Sequence, residues 1–566
     1  MPPKFSRELK SKTLFGRPSD YQQRTSPCEE NCPAGNPIQK MNEFVKGQRF
    51  EEALEYIRSK NPFSGVTGRV CPRPCEAVCN RGNYDEPMAI RAIERYVSDH
   101  ADLARIQGPS KEEMSGKRLA IIGSGPAGMT CAYFSALFGH HVTVFEGSSA
   151  LGGMPKTGIP AYRLPKSVVD KEVGLILNLG IHARLDTLVG RDIDLDEILK
   201  EYDACLIATG TWKEKAIDIP GVQEAQGGLS FLTRVNRGES PLLGERVVVA
   251  GGGGVAFECA FTARRLGASE VHIVCLEENE KMRISREDRA RAEKEQIILH
   301  QGHMISQVLG SDGRATGIEC FPISSFRFDD SGKLTVTPAS DRRIQIKADA
   351  VILAIGLEPD LAFAGHRFER TEDGTLRVDA STMCTSIPKV FAAGDVVHGP
   401  STVAHAVASG RTAAVAIHRY FTTGKPDLRV RVTLGSGEGI DFLECPDESE
   451  LQVVDYEQLL DKEFFVKAPR ERTESLESEK SIRSFEEMDL GFKDGQTAGK
   501  EAGRCFRCGH CQMCGKCAEH CPGYVLQMNK EGPVVSFPDE CWHCGSCRIN
   551  CPSSCISYAF PISMLV

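Results

Sequence analysis

The chain has 566 residues, 41% of them hydrophobic and 26% charged, with a formal net charge of -9, the make-up of a globular protein too long for one core, so two to four domains are expected. The acidic balance gives no support to nucleic-acid binding. No apolar run reaches the roughly 18–20 residues of a membrane span, and the polar start lacks the apolar stretch of a signal peptide, so the cytoplasm is the expected location.

Cysteine placement is the strongest compositional signal. Of 23 cysteines, five lie between Cys28 and Cys79 and eleven between Cys505 and Cys555. Without a secretory signal, such clusters argue for metal centres rather than disulfides. The seven scattered between them (Cys131, Cys205, Cys259, Cys275, Cys320, Cys384 and Cys445) read as small buried hydrophobes. None forms a CxxC pair near a glycine-rich motif, which counts against a dithiol reductase site.

In chain order, the text to about residue 112 is helical. Asn36 is a good N-cap and Pro37 a good first helical residue, opening a helix with Ile38, Met41 and Val45 on one face. Further helices are expected over 50–58 and 87–99. From 117 to about 421, strands, Gly-rich turns and helices alternate as in doubly wound α/β domains. A mixed-charge connector follows, and the last 66 residues or so form a cysteine-rich module. The expected fold is therefore multidomain: a helical iron–sulfur domain (1–112), a discontinuous Rossmann-like domain (113–235 and 355–424), a second Rossmann-like domain (236–354), a connector (425–500) and an α+β ferredoxin-like domain (501–566).

The first α/β unit reads RLAIIGSGPAGMTCAYFSALFGHHVTVFE. Gly123 permits the tight turn, Gly125 lets backbone approach a pyrophosphate, and Gly128 lets the helix pack on the strand. The helix N-terminus at Pro126-Ala127 favours the phosphates, and Glu146 stands where a carboxylate accepts from a ribose. A Gly-rich turn alone would not carry strand, helix and terminal acid in register. The second unit, ERVVVAGGGGVAFECAFTARRLGASEVHIVCLEE, repeats the design with Gly251, Gly253 and Ala256, and ends at Glu277. Two sites in one chain point to a flavin dinucleotide and a nicotinamide dinucleotide facing each other. CLIATG, ending Ala208-Thr209-Gly210, and VILAIG, ending at Gly356, read as strands passing close to cofactor. Gly394-Asp395 lies between a strand and a long helix.

The order GSGPAG, ATG, GGGGVA, AIGxxPD and AAGD resembles the small subunit of glutamate synthase and its flavoprotein relatives, over residues of about 20–425. The resemblance implies that the first fingerprint binds FAD, that the second binds the nicotinamide cofactor, and that Asp395 contacts the ribityl–phosphate region. It also implies that Leu151-Gly152-Gly153-Met154, Gly158-Ile159-Pro160 and Arg163-Leu164-Pro165-Lys166 lie beside the isoalloxazine. Relatives that use NADP carry two arginines after the second strand, where this chain has Glu277-Glu278. A carboxylate bonds a free ribose diol and repels a phosphate, so NAD(H) is expected. The alternative is a pair of solvated charges at a helix start.

Near the C-terminus, Cys511-x2-Cys514-x2-Cys517-x3-Cys521-Pro is followed by Cys541-x2-Cys544-x2-Cys547-x3-Cys551-Pro. This is the bacterial ferredoxin run, twice, and the fourth cysteine of each run ligates the other cluster. Two [4Fe–4S] clusters are expected: one on Cys511, Cys514, Cys517 and Cys551, the other on Cys541, Cys544, Cys547 and Cys521. Zinc frameworks instead space their CxxC pairs apart.

The N-terminal text SPCEENCPAGNPI…GRVCPRPCEAVCN…IRAIERY resembles the cluster domain of the same family and of dihydropyrimidine dehydrogenase. The resemblance implies a cluster on Cys32, Cys71, Cys75 and Glu94; Cys28 or Cys79 in place of Glu94 stands as an alternative. A second family cluster would use Cys28, Cys79 and an upstream CxxC that is missing here. Arg504-Cys505-x2-Cys508-Gly509 has the form of that missing piece, so the four cysteines are expected to share one cluster. Spare thiols or zinc at Cys505 and Cys508 are the competing reading. One or two N-terminal clusters are thus expected.

Hydride from NADH comes as two electrons, clusters take one at a time, and a flavin does both. The expectation is an oxidoreductase subunit passing electrons between NAD(H), FAD and clusters, to or from a partner subunit of a larger redox complex or a soluble ferredoxin. No catalytic acid, base or nucleophile is required or named. A glutamate synthase small subunit is the alternative among enzymes; a non-catalytic electron-relay scaffold is the alternative from another class.

Overall fold

The structure is a computed structural model and describes residues 23–556 apart from 107–110, 279–280, 283, 312, 329–333, 429–430, 435–439, 444–450, 531, 538–539 and 543. Cys445 lies outside the described residues.

Apolar residues at helical spacing bring the N-terminal helices together. Helix α1 (Ile38–Lys46) buries Ile38, Met41 and Val45, and α2 (Phe50–Arg58) buries Ala53, Leu54 and Ile57. Between α2 and the next expected helix lies α3 (Ser64–Val70), SGVTGRV, which is not among the helices expected from the sequence and whose two glycines lower helix propensity. Tertiary contact explains it. A Cβ on Gly68 would lie 2.8 Å from the Arg95 backbone, so glycine admits close packing on α4 (Ile90–His100).

Two helix starts differ from expectation. Pro37, not Asn36, occupies the N-cap of α1, and Ile38 is its first residue. Helix α4 begins at Ile90, not 87, because carboxylates from elsewhere hold its entrance. The Ala89 N–H donates to Glu501 Oε1 at 2.7 Å, and the Arg91 N–H to Glu76 Oε1 at 2.9 Å.

Two parallel five-stranded sheets follow. The first is ordered Val390–Ala392, Ala204–Ile207, β1 (Arg118–Ile122), β2 (His141–Phe145), His182–Arg184. Its edge strand comes from far along the chain. Helix α5 (Pro126–Leu137) is buried along its whole length. Helix α6 (Lys166–Leu177) reaches back to the N-terminal helices: Glu172 accepts from Gly65 N at 2.5 Å and Val66 N at 3.2 Å. These N–H groups belong to the first turn of α3, which has no intrahelical partners for them.

The second sheet is ordered Ile298–His300, β4 (Glu270–Val274), β3 (Arg246–Ala250), Ala350–Leu353, Gln226–Gly227. Helix α7 (Gly254–Arg265) follows β3, and α8 (Arg286–Lys294) follows β4. An antiparallel layer built from His303–Ser311, Arg314–Phe328, Leu334–Pro338 and Ile344–Lys347 packs through Ile305, Ile318 and Ile346 onto Val248 and Val351. Helix α9 (Val403–Thr423) crosses α5 closely: a Cβ on Gly410 would lie 2.1 Å from the Ala127 carbonyl oxygen.

Beyond α9 the chain returns to its N-terminal end. Leu451–Val453 pairs in parallel with Gln23–Thr25, and α10 (Gly495–Gly503) adds Ala498 and Ala502 to the N-terminal core. The final module carries two short helices, Lys516–Glu519 and Ser546–Ile549, and a hairpin of Leu526–Met528 with Pro533–Val535. Both helices start from a glycine in the left-handed region, Gly515 (φ 76) and Gly545 (φ 75), each directly after a CxxC. Among the described residues no helix is long and apolar enough to cross a membrane.

Candidate flavin, nicotinamide and iron–sulfur sites

The first Gly-rich turn opens a cavity of about 510 Å³. Of the residues expected there, Gly123, Gly125, Pro126, Ala127, Glu146, Gly153, Met154, Ala208, Thr209, Gly210, Gly394 and Asp395 line it. Gly123 has φ +103, and a side chain there would meet the Ala208 carbonyl oxygen at 2.4 Å. Gly128 stands behind the turn, where a Cβ would lie 2.1 Å from the Gly123 oxygen. Glu146 is held by Ser124, whose N–H and Oγ donate to Oε2 at 3.0 and 2.6 Å. The buried Thr209 hydroxyl has no hydrogen-bond partner, and burial raises the Asp395 carboxyl above its usual range. Bare backbone at a helix N-terminus, a held carboxylate and an unsatisfied hydroxyl fit a dinucleotide.

Arg163 is placed elsewhere. Its guanidinium forms a fork on Asp288 of α8 (2.7 and 3.4 Å) and meets Glu258 of α7 at 3.2 Å. It thus ties the first α/β unit to the second rather than lining the cavity.

The second turn repeats the first. Gly251 has φ +134, and a Cβ there would lie 2.2 Å from the Ala354 oxygen. Gly253 is the N-cap of α7, and Ala256 is buried in its first turn. Gly356 follows the Ala350–Leu353 strand with φ +121. The Glu277 carboxylate reaches the turn, since a Cβ on Gly252 would lie 2.3 Å from its Oε2. Gly252 thus stands to Glu277 as Ser124 stands to Glu146.

A cavity of about 360 Å³ in the N-terminal domain is lined by Cys32, Cys71, Cys75 and Glu94. Thr67 Oγ1 and Asn61 Nδ2 donate to Glu94 Oε1 at 2.5 and 3.2 Å, and burial pushes this carboxyl up to about 7. Burial likewise raises the Cys32 thiol to about 11 and that of Cys71 to about 12. Three thiols and a carboxyl around one apolar space fit an iron–sulfur cluster, which takes soft anionic ligands in a low-dielectric pocket. Cys28, Cys79, Cys505 and Cys508 line a separate cavity.

In the C-terminal module the thiols fall into two groups. Burial, with Cys551, Cys511 and Cys514 as charged neighbours, pushes Cys517 up to about 11. Burial, with Cys541, Cys521 and Cys544 as neighbours, does the same to Cys547. The fourth cysteine of each run therefore stands with the other run's first three. Cys555 adds a fifth thiol to the first group, 3.4 Å from the Cys551 sulfur. Among the described residues no three His, Cys, Asp or Glu side chains are grouped to hold a single metal ion. A cubane keeps its four thiolates apart, each on its own iron.

Sequence reasoning missed several residues that line the first cavity, including Ser124, Thr211, Trp212 and Ala406. Trp212 carried a usable signal. It is one of two tryptophans in the chain and follows the ATG motif by two residues, and it keeps 41% of its surface exposed at the mouth.

Residues 117–410 match the family model described as pyridine nucleotide-disulphide oxidoreductase. Residues 21–106 match dihydropyrimidine dehydrogenase domain II, 4Fe-4S cluster. The chain is 36% identical to the NADP(+)-dependent formate dehydrogenase subunit beta of Moorella thermoacetica, over 86% of this chain and 70% of that one. It is 31% identical to the NADPH-Fe(3+) oxidoreductase subunit beta of Geobacter sulfurreducens, covering 86% and 75%. It is 32% identical to the glutamate synthase [NADPH] small chain of Mycobacterium tuberculosis, covering 69% and 85%. With one model spanning the dinucleotide-binding core and relatives aligned beyond both its ends, the chain belongs to the pyridine nucleotide-disulphide oxidoreductase family and is an NAD(P)H-dependent oxidoreductase.

Proposed function

We propose that the chain is the NADH-linked electron-transfer subunit of a larger redox complex, holding FAD and [4Fe–4S] clusters and exchanging electrons with a partner subunit or a ferredoxin. FAD supplies the chemistry that joins a two-electron hydride donor to one-electron iron–sulfur acceptors. The observation that carries the reading is the meeting of two cavities at the start of α9. Ala406 lines the dinucleotide cavity, and Ala404, two residues earlier in the same helix, lines the cavity of Cys32, Cys71, Cys75 and Glu94. One helix end thus forms a wall of both.

The residues divide the work. Gly125 and the first turn of α5 offer bare N–H groups to a pyrophosphate, and Glu146 offers a carboxylate to a ribose. Gly251 to Gly253 and Glu277 do the same on the facing unit. In this reading Cys32, Cys71, Cys75 and Glu94 hold one cluster and the two ferredoxin runs hold two more, with Cys551 and Cys521 exchanged. The relatives' names carry NADP or NADPH; Glu277 and Glu278 favour NADH here, because two carboxylates repel a 2′-phosphate.

The test is anaerobic titration of the purified holoprotein with NADH and with NADPH, followed by absorbance and EPR. Flavin bleaching and cluster reduction at lower NADH than NADPH are expected. No flavin bleaching with either nucleotide overturns the subunit reading, and stronger response to NADPH overturns the nucleotide assignment.

A further inference from the structure

We propose that Cys28 and Cys79 from the N-terminal domain and Cys505 and Cys508 from the C-terminal end together hold a [4Fe–4S] cluster, a site assembled from both ends of the chain. The proposal rests on the reading of the chain as an iron–sulfur flavoprotein and adds a cluster to it. All four cysteines are free and line one cavity of about 320 Å³. Cys28 and Cys508 are 7% and 6% exposed. Cys79 and Cys505 are both electrostatic neighbours of Cys28, and Cys508 neighbours the same two.

The wall is built for sulfur anions. Asn80 Nδ2 donates to Cys508 Sγ at 3.3 Å, Gln39 Nε2 to Cys28 Sγ at 3.7 Å, and the Arg507 N–H to Cys505 Sγ at 3.4 Å. Ile38, Met88, Ile90 and Phe506 supply the apolar remainder. Buried cysteine sulfurs with N–H donors aimed at them in an apolar shell are the arrangement that holds and tunes an iron–sulfur cluster.

The C-terminal pair is anchored to the N-terminal domain. Arg504, directly before Cys505, bonds Glu501 at 2.8 Å, Asp85 at 3.1 Å and the Glu86 carbonyl at 2.6 Å. Arg81 Nη1 donates back to the Arg504 carbonyl at 2.6 Å. With Ala498 and Ala502 of α10 buried in the N-terminal core, residues 505–508 are part of that domain rather than of the ferredoxin module.

Position gives the site its use. It shares Ile38 and Ile90 with the cavity of Cys32, Cys71 and Cys75, and Cys508 precedes Cys511 of the ferredoxin run by three residues. It therefore bridges the flavin side of the protein and its C-terminal module. One electron in and one out, with no bond made or broken, is all that this place requires.

Iron and acid-labile sulfide counting with native mass spectrometry on the anaerobically purified full chain provides the test. About sixteen irons, as four cubanes, are expected; about twelve, or zinc at this site, overturns the proposal. The double variant Cys505→Ser/Cys508→Ser should lose about four irons and one EPR-active centre, with FAD content reporting that it has folded. Should that variant fail to hold FAD, Cys28→Ala, at the other end of the chain, gives the same reading. Unchanged iron and EPR spectra in a folded variant overturn the shared site. Flavin bleaching by NADH, read on the unmodified chain, tests the electron-transfer reading separately.

Discussion

Glu277 occupies the space that a side chain at Gly252 would fill, with its Oε2 2.3 Å from where that Cβ would stand. The carboxylate therefore sits against the phosphate-binding turn itself, where an adenosine ribose lies in this fingerprint. Replacing it by arginine exchanges an acceptor for a phosphate-binding fork. Glu277→Arg should raise kcat/KM for NADPH relative to NADH by about tenfold or more, which is about 1.4 kcal/mol. Steady-state dye reduction with each nucleotide checks it, and an unchanged ratio refutes the role given to Glu277.

Cys71→Ser should remove about four irons per chain, since it opens the cavity shared with Cys32, Cys75 and Glu94. Glu94→Gln should keep the iron but shift the EPR signal, because a neutral amide replaces a charged oxygen. Glu94→Ala should lose the cluster. Iron retained with an unaltered spectrum in Glu94→Ala would mean that the fourth ligand lies elsewhere.

A chain ending after His510 should lack about eight irons and retain FAD, as two cubanes go with the two ferredoxin runs. Ties from that module to the rest include Arg24 Nη1 to the Ser554 carbonyl at 2.6 Å and the Gly509 N–H to the Ser553 carbonyl at 2.7 Å. Colorimetric iron and flavin analysis checks the stoichiometry. A loss of only four irons would show that one run is not loaded.

Arg265 and Glu295 form a buried pair, 2.9 and 3.0 Å apart at its two contacts, with side chains 0% and 3% exposed. Arg265 also reaches Ser481 Oγ and Met488 Sδ of the connector. Arg265→Met leaves a buried carboxylate without a partner and should cost about 3–5 kcal/mol. Arg265→Met/Glu295→Leu should recover most of that loss. Thermal unfolding of the three proteins decides it, and equal stability of single and double variants would count against the pair.

What the sequence alone made legible was whatever depends on local geometry. Gly123 and Gly251 were readable because a tight turn after a strand needs a positive φ, and that requirement appears as glycine whatever surrounds it. The spacing of Cys511, Cys514 and Cys517 was readable because a ferredoxin run sets neighbouring ligands a fixed few residues apart. Glu277 could be weighed because it closes a motif of known length.

The tertiary structure decided what depends on distant partners. Helix α3 forms despite Gly65 and Gly68, because their lack of side chains is what lets it pack against Arg95 and receive Glu172. Helix α4 starts at Ile90 because Glu501, more than 400 residues later, takes the Ala89 N–H. Arg163 turns from the flavin cavity to Asp288 and Glu258 because a guanidinium so enclosed needs carboxylates, and these come from the facing domain. The spacing of Cys28 and Cys505 says nothing about distance in space. Burial of α10 in the N-terminal core brings the two ends to one cavity, because apolar area removed from water is indifferent to separation along the chain.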